Sequence, residues 1–111
     1  MTEARVLKGT LDLLILTAVS VNPMHGYGIG QWIHSHSDGA LELDEGALYR
    51  ALHRLHRRGY LGAEWRPSDT GRRAKFYALT PAGSEHLATE EQRWMRYSGL
   101  VGRLVKAAKA D

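Results

Sequence analysis

The feature that most constrains the fold is a segment that has one aliphatic and one cationic side when it is drawn as a helix. The segment extends from Asp44 to Gly59. Asp44 can cap its first turn, because a carboxylate accepts hydrogen bonds from the free amides there, and Gly59 can adopt the left-handed conformation that ends many helices. The aliphatic side consists of Leu48, Ala51, Leu52 and Leu55. The opposite, cationic side consists of Gly46, Arg50, His53 and Arg57, with Arg54 next to them. Tyr49 and His56 lie on the flank between the two sides.

A cationic helix face is either solvated or placed against phosphate, and the residues that follow favour the second interpretation. Residues 61–66 and 72–79 alternate in the manner of strands, and the residues between them are rich in turn formers. We therefore predict a β-hairpin, with Arg72, Arg73 and Lys75 just past its tip. A cationic helix followed by such a hairpin is the layout of a winged helix-turn-helix, whose helix enters a major groove while the wing contacts the flanking backbone.

Positive charge is concentrated in the same region. The 111 residues carry a net charge of +3 at neutral pH, but residues 50–75 hold eight Lys or Arg against two acidic residues. Such a block in a nearly balanced chain indicates one face that meets a polyanion. Cysteine is absent, which excludes disulfides and thiolate metal sites. The longest apolar stretch, from Leu13 to Val21, is shorter than the roughly 20 residues of a membrane span, so we expect a soluble, cytoplasmic protein with no membrane partner.

Two helices are predicted before the cationic one. Thr10 can cap the first, which covers residues 11–21 and is apolar enough to be buried on nearly all sides. Its main stripe consists of Leu11, Leu14, Ala18 and Val21. The second helix opens at residues 25–28, where two glycines permit a close approach of the backbone, and it ends at residues 37–39.

The last predicted helix carries a heptad-like apolar seam. It begins with Thr80 as N-cap and Pro81 at the first position, where the missing amide costs nothing, and it reaches about Ala108. The seam consists of Leu87, Trp94, Tyr97, Val101 and Leu104. At 1.5 Å per residue this helix spans roughly 40 Å, more than a small domain can cover. We therefore predict a DNA-binding domain over residues 1–80 and a C-terminal dimerisation helix over residues 81–111.

A purely structural interpretation stays open for each of these side chains. Tyr49 could pack against the flank of its own helix, and Arg50 and His53 could simply be solvated. The wing cations could serve solubility alone, and Arg57 and Arg58 could complement the helix dipole. Tryptophan is found more often in a core or an interface than in a ligand cage, which applies to Trp32, Trp65 and Trp94.

We expect no metal ion, no cofactor and no catalytic site. His34 and His36 are two residues apart on a helix and point in different directions, so they cannot share an ion. His53 and His56 could share one, but no cysteine or carboxylate nearby completes a ligand set. The chain contains no spacing typical of a nucleophile elbow, a P-loop or paired catalytic carboxylates.

Three motifs, in order along the chain, resemble the PadR family, which is named for repressors of phenolic acid decarboxylase genes. They are His25-Gly26-Tyr27, the run Glu45-Gly46-Ala47-Leu48-Tyr49 with Leu52-His53-Arg54-Leu55, and the run Gly71-Arg72-Arg73-Ala74-Lys75-Phe76-Tyr77-Ala78-Leu79-Thr80 with Gly83. The similarity spans about residues 7–85, and the short tail resembles the small-C-terminal branch of the family. The family often has proline after the recognition-helix tyrosine, whereas this chain has Arg50, so a target sequence cannot be carried over.

The resemblance implies a mainly α, α+β winged helix-turn-helix with an added C-terminal dimerisation helix. It implies a homodimeric transcription regulator that acts as a repressor, with the recognition helix at about residues 44–58 and the wing at residues 61–79. It also implies that the C-terminal helix packs against the N-terminal helix of the mate, which adds Leu11 and Leu14 to the predicted interface. The predicted contacts to double-stranded DNA are Tyr27, Gly46, Ala47, Tyr49, Arg50, His53, Arg54, Arg72, Arg73 and Lys75.

One alternative function is a winged-helix module for protein contacts, with a merely solvated basic face. Retention on heparin or random duplex DNA at low salt would separate the two functions, because only a DNA-binding face gives strong, salt-sensitive retention. The operator and the regulated genes are not specified by the sequence. A small-molecule effector between the first and last helices, near Trp94, stays an open possibility on geometric grounds.

Overall fold

The computed structural model describes residues 6–7 and 9–111, and within them the chain forms four helices and one small antiparallel sheet. The elements are α1 (Leu11–Val21), β1 (Met24–His25), α2 (Gly26–His36), α3 (Glu45–Arg57), β2 (Leu61–Pro67), β3 (Arg73–Leu79) and α4 (Pro81–Ala110). The strand order is β1-β3-β2. The predicted α+β fold with a hairpin wing is confirmed.

Both ends of α3 are formed as predicted. Oδ2 of Asp44 accepts a hydrogen bond of 2.9 Å from the amide of Ala47. Gly59 has a φ of +84°, and the amide of Tyr60 donates to the carbonyl of Leu55 at 3.0 Å, which closes the last turn. The aliphatic face lies in the core, since Leu48, Ala51, Leu52 and Leu55 are at most 4% exposed. The cationic face of α3 is therefore held outward.

The prediction for α1 was wrong in two details. Val21, placed in the buried stripe, is 58% exposed, whereas Ile15 and Val19 are buried. The helix is apolar on nearly all sides, so its periodicity could not select one face. Thr10 stands at the N-cap, but its backbone is already helical and its side chain caps no amide; its hydroxyl instead donates to the carbonyl of Leu7 at 2.7 Å.

The short strand β1 was not predicted. Met24 and His25 pair with Tyr77 and Phe76 of β3 and so add a third strand to the hairpin. His25 also caps α2, because its Nδ1 accepts a hydrogen bond of 3.0 Å from the amide of Gly28. A strand of two residues has no visible period, which explains why it was missed. It fixes the start of α2 to the base of the wing.

The start of α4 is tied to the end of α3. Thr80 caps α4 by accepting from the amide of Gly83 at 3.0 Å, and its hydroxyl donates to the carbonyl of Gly59 at 2.6 Å. Gly83 lies so close to the carbonyl of Tyr60 that a Cβ atom would overlap it. Leu87, predicted as part of the dimer seam, is buried in the core of its own chain. This correction follows from the tight crossing, which brings the first turns of α4 onto the domain.

The rest of α4 extends away from the core. The helix has 30 residues, about 45 Å at 1.5 Å per residue, and the longest dimension of the molecule is 58 Å. No helix in the described part of the chain is both long and apolar enough to cross a membrane.

Candidate nucleic-acid interface

A groove opens between the inner face of the wing, the N-terminal end of α2 and Tyr49 of α3. We call it the wing groove. In the antiparallel hairpin, Ala63, Trp65 and Pro67 lie opposite Tyr77, Lys75 and Arg73, so these six side chains share one face of the sheet. The predicted DNA-binding residues that line the groove are Tyr27, Tyr49, Arg72, Arg73 and Lys75. The fold thus brings together residues that are up to 48 positions apart in the sequence.

The first turns of α3 present a small, cationic surface. Gly46, Arg50 and His53 are all exposed, and Ala47 is half-buried. Nη1 of Arg50 lies 3.1 Å from the place where a Cβ on Gly46 would stand. The guanidinium is therefore folded over the first turn of the helix, where a larger residue than glycine would displace it. A helix start with little bulk and one exposed cation can approach a duplex closely.

Tyr49 is held against the start of α2. It is 45% exposed, and a Cβ added to Gly26 would lie 2.7 Å from Cε1 of its ring. The prediction of a close approach at a glycine is confirmed at Gly26, while a Cβ on Gly28 would make only ordinary contacts. Next to it, Tyr27 is 69% exposed. Gly26 thus leaves room for the phenol of Tyr49, which lines the wing groove.

Tyr77 forms part of the floor of the wing groove. Burial, and secondarily the nearby Tyr49, raises the pKa of its phenol above the ordinary value of 10.0. Nζ of Lys75 lies 5.7 Å from the centroid of the Tyr77 ring, a distance that permits a cation–π attraction. The ammonium group of Lys75 is therefore kept at the groove.

Arg54 differs from the other predicted contacts. Its guanidinium forms an ion pair with Asp12 of α1, and both side chains are partly exposed. The pair connects α3 to α1. Arg54 is only partly exposed, unlike Arg50 and His53 on the cationic face of α3. DNA contact by Arg54, like that by the other residues named above, stays a prediction.

Sequence reasoning missed Trp65. It is 58% exposed on the inner face of the wing and lines the groove. The alternation of β2 placed it on the same side as the buried Leu61, which suggested a core or interface role, but burial along β2 stops before Trp65. On the outer face, Arg66 lies 4.2 Å from the centroid of the Phe76 ring. The register with Lys75 was the one signal that could have located Trp65.

The predicted dimer surface on α4 is largely exposed. Tyr97, Val101 and Leu104 are 62%, 40% and 72% exposed. Trp94 and Tyr97 line a groove with Leu7 and Leu13 at the N-terminal side of the domain. Of the other predicted interface residues, Leu11 and Leu14 are partly buried against the core of their own chain. So much exposed apolar surface on one helix is typical of an interface.

Comparison with known proteins agrees with this geometry. The family model described as "Transcriptional regulator PadR-like family" matches residues 15–89. The chain is similar to Transcriptional regulator Rv3488 of Mycobacterium tuberculosis, with 36% identity over 86 residues, 78% of this chain and 76% of that protein.

Solved structures show the same fold. A PadR-like transcriptional regulator from Bacillus cereus has a TM-score of 0.77 and 28% identity, with 89% of this chain and 94% of that chain covered. A PadR family transcription regulator from Clostridium difficile has a TM-score of 0.75 and 27% identity, with 87% and 99% covered. The matched residues make up more than half of the chain and include α3 and the entire wing. This chain therefore belongs to the PadR-like family and is a DNA-binding, winged-helix regulator of transcription.

Proposed function

We propose that this protein is a transcriptional repressor that binds an inverted-repeat operator as a homodimer, with α3 in the major groove and the wing on the flanking backbone. The observation that carries the proposal is that Tyr49, on the flank of the cationic face of α3, and the cations of the wing line one groove. A polyanion that fills this groove meets both at once. Half or more of protein–DNA hydrogen bonds go to phosphate and sugar, and base contacts add the specificity.

Base reading is assigned to the first two turns of α3. Gly46 leaves room for the duplex, and Arg50, at the exposed side, can form the bidentate contact to guanine that Arg favours in a major groove. His53 lies one turn further on the same face. The buried leucines of α3 support this role indirectly, because they fix which side of the helix faces outward.

The wing is assigned to backbone positioning. Arg72 and Arg73 are exposed, and Lys75 is half-buried beside the groove. Cations that contact phosphate displace condensed counterions, which strengthens binding at low salt without selecting a sequence. The wing therefore adds affinity and register, while α3 adds specificity.

Dimerisation is assigned to α4, together with the groove that contains Trp94. A second copy would cover the exposed seam of Tyr97, Val101 and Leu104. The double variant Val101→Asp with Leu104→Asp should sediment as a folded monomer, because both side chains are exposed in the single chain and the core below them is unchanged. The variant Arg103→Ala with Lys106→Ala, which alters exposed residues near the seam but not in it, serves as the control and should stay dimeric.

Selection of preferred sequences from a random duplex pool tests the function. We expect an inverted repeat whose half-sites are about 10 base pairs apart, or a multiple of that. Transcription from a template that carries the selected site over its promoter should fall when the protein is added, as a repressor requires. Weak, salt-insensitive retention on random duplex DNA with no selected sequence would contradict the proposal and favour a module for protein contacts.

A further inference from the structure

Trp65 is unusual among the tryptophans of this chain. Its side chain is 58% exposed, while Trp32 and Trp94 are only partly exposed. It is the fifth of the seven residues of β2, beyond the point at which the strand leaves the core. A single exposed apolar residue needs no explanation, but this one shares its groove with two further exposed aromatics, Tyr27 and Tyr49.

The surroundings of Trp65 are mainly cationic, since the wing groove is lined by Arg72, Arg73 and Lys75 and by one carboxylate, that of Asp69. Its cross-strand partner is Lys75, and the next pair on the same face is Pro67 with Arg73. Directly opposed side chains in an antiparallel sheet have Cβ atoms about 5 Å apart and diagonal ones about 7–8 Å, so Lys75 lies beside the indole and Arg73 lies diagonally across from it. An aromatic ring beside two cations, in a groove that faces a duplex, is suited to the sugar-phosphate backbone rather than to an apolar protein surface.

Indole chemistry matches one part of that backbone. The ring offers an apolar face, and Nε1–H is a donor with no acceptor capacity. A phosphate oxygen accepts such a donor, and the adjacent deoxyribose presents C–H groups to the ring face. Tryptophan is common where one end of a side chain meets apolar surface and the other meets polar groups.

We propose that Trp65 is a DNA-backbone contact of the wing, with its ring packed on a deoxyribose and its Nε1–H donating to a phosphate oxygen. This inference rests on the proposed function, because it requires DNA in the wing groove. The indole carries no charge and displaces no counterion, so its contribution does not depend on salt. In this it differs from the arginines of the wing, whose contribution falls as salt rises.

The test compares Trp65→Phe, Trp65→Ala and the wild type on a selected and a random duplex over a range of salt concentrations. Trp65→Phe, which removes the donor, should weaken both complexes by about 10-fold for each protomer that contacts DNA, the upper range for one neutral hydrogen bond. Trp65→Ala should weaken them further. The slope of the logarithm of the binding constant against the logarithm of the salt concentration (the log–log salt slope) should stay unchanged in both variants, because no cation is lost. A shallower slope would show that the wing itself had been displaced, and it would overturn the direct contact.

A spectroscopic signal identifies the contact directly. In protein labelled with 5-fluorotryptophan, three fluorine resonances can be assigned with the single variants Trp32→Phe, Trp65→Phe and Trp94→Phe. Adding duplex should shift the Trp65 resonance and leave that of Trp32 in place. If DNA binds but the Trp65 resonance does not move, the inference fails and the proposed function stands. If no duplex binds the wild type at low salt, both fail. A Trp65 shift that follows protein concentration without DNA would assign the residue to the dimer interface and contradict the inference.

Discussion

Replacing two wing arginines should change how DNA binding depends on salt. Arg72 and Arg73 follow Gly71, which has a φ of +87° at the tip of the hairpin. Both are exposed, and neither takes part in an ion pair with the described residues. Their cationic groups are thus free to contact phosphate. We expect Arg72→Ala with Arg73→Ala to weaken binding to specific and random duplexes by similar factors, because phosphate contacts carry no sequence information directly.

The magnitude follows from counting charges. With four phosphate contacts per protomer, three from the wing and one from α3, a dimer makes about eight, which gives a log–log salt slope of roughly −7. The double variant removes four of the eight, so the slope should become about −3.6. Between 50 and 200 mM salt the wild type should then lose roughly 10⁴-fold in affinity and the variant about 150-fold.

Fluorescence anisotropy of labelled duplexes across a salt series measures both slopes. The variant Arg103→Ala with Lys106→Ala removes the same charge from the exposed part of α4 and should keep a slope near that of the wild type. An unchanged slope in the Arg72 and Arg73 variant would remove the wing from the interface. A loss of affinity confined to duplexes that differ at one base position would also refute the reasoning, because it would show that the wing reads sequence.

Three further predictions concern the supports of this surface. Leu52→Ala, at a fully buried position of α3, should lower the free energy of unfolding by about 2–5 kcal/mol in urea titrations, with DNA binding lost only as a consequence. Gly26→Ala should weaken DNA binding because its Cβ would lie 2.7 Å from the ring of Tyr49; wild-type affinity in this variant would show that the phenol position is unimportant. The raised pKa of Tyr77 means that the folded state holds this proton more tightly than the unfolded chain, so stability should fall as pH rises above about 10, and Tyr77→Phe should remove that part of the decline.

The elements around the candidate site could be predicted from the sequence because their signals are local and independent. In α3 the cap at Asp44, the stop at Gly59 and the leucine period all indicate the same helix, and the structure has all three. The wing has turn formers between two runs, which limits the register of the hairpin. Where several physical signals agree in this way, a helix or hairpin is specified before tertiary packing is known.

The features that were missed depend on tertiary packing. The buried side of α1 is set by which neighbours it meets, and its composition offers several equivalent stripes. Leu87 is buried because α4 crosses tightly at Gly83, which no heptad pattern reveals. Trp65 lies in the wing groove because β2 extends beyond the core before it turns. For Leu87 and Trp65 a local period was read correctly, but the distance to the rest of the core decided burial, whereas the period of α1 did not identify its buried side.

The central claim is that α3 reads the DNA sequence. The most direct test compares the preferred sequences of the wild type and of variants with substitutions in the exposed residues of the first turns of α3. The claim predicts that the Arg50→Ala variant remains folded and that its binding free energy on the preferred site falls by about 1–3 kcal/mol. The variant should also lose its base preference at one symmetric pair of positions. Binding across a panel of single-base operator variants measures this. If Gly46, Tyr49, Arg50 and His53 can each be altered in a folded protein while the same sequence stays preferred, α3 is not the element that reads DNA.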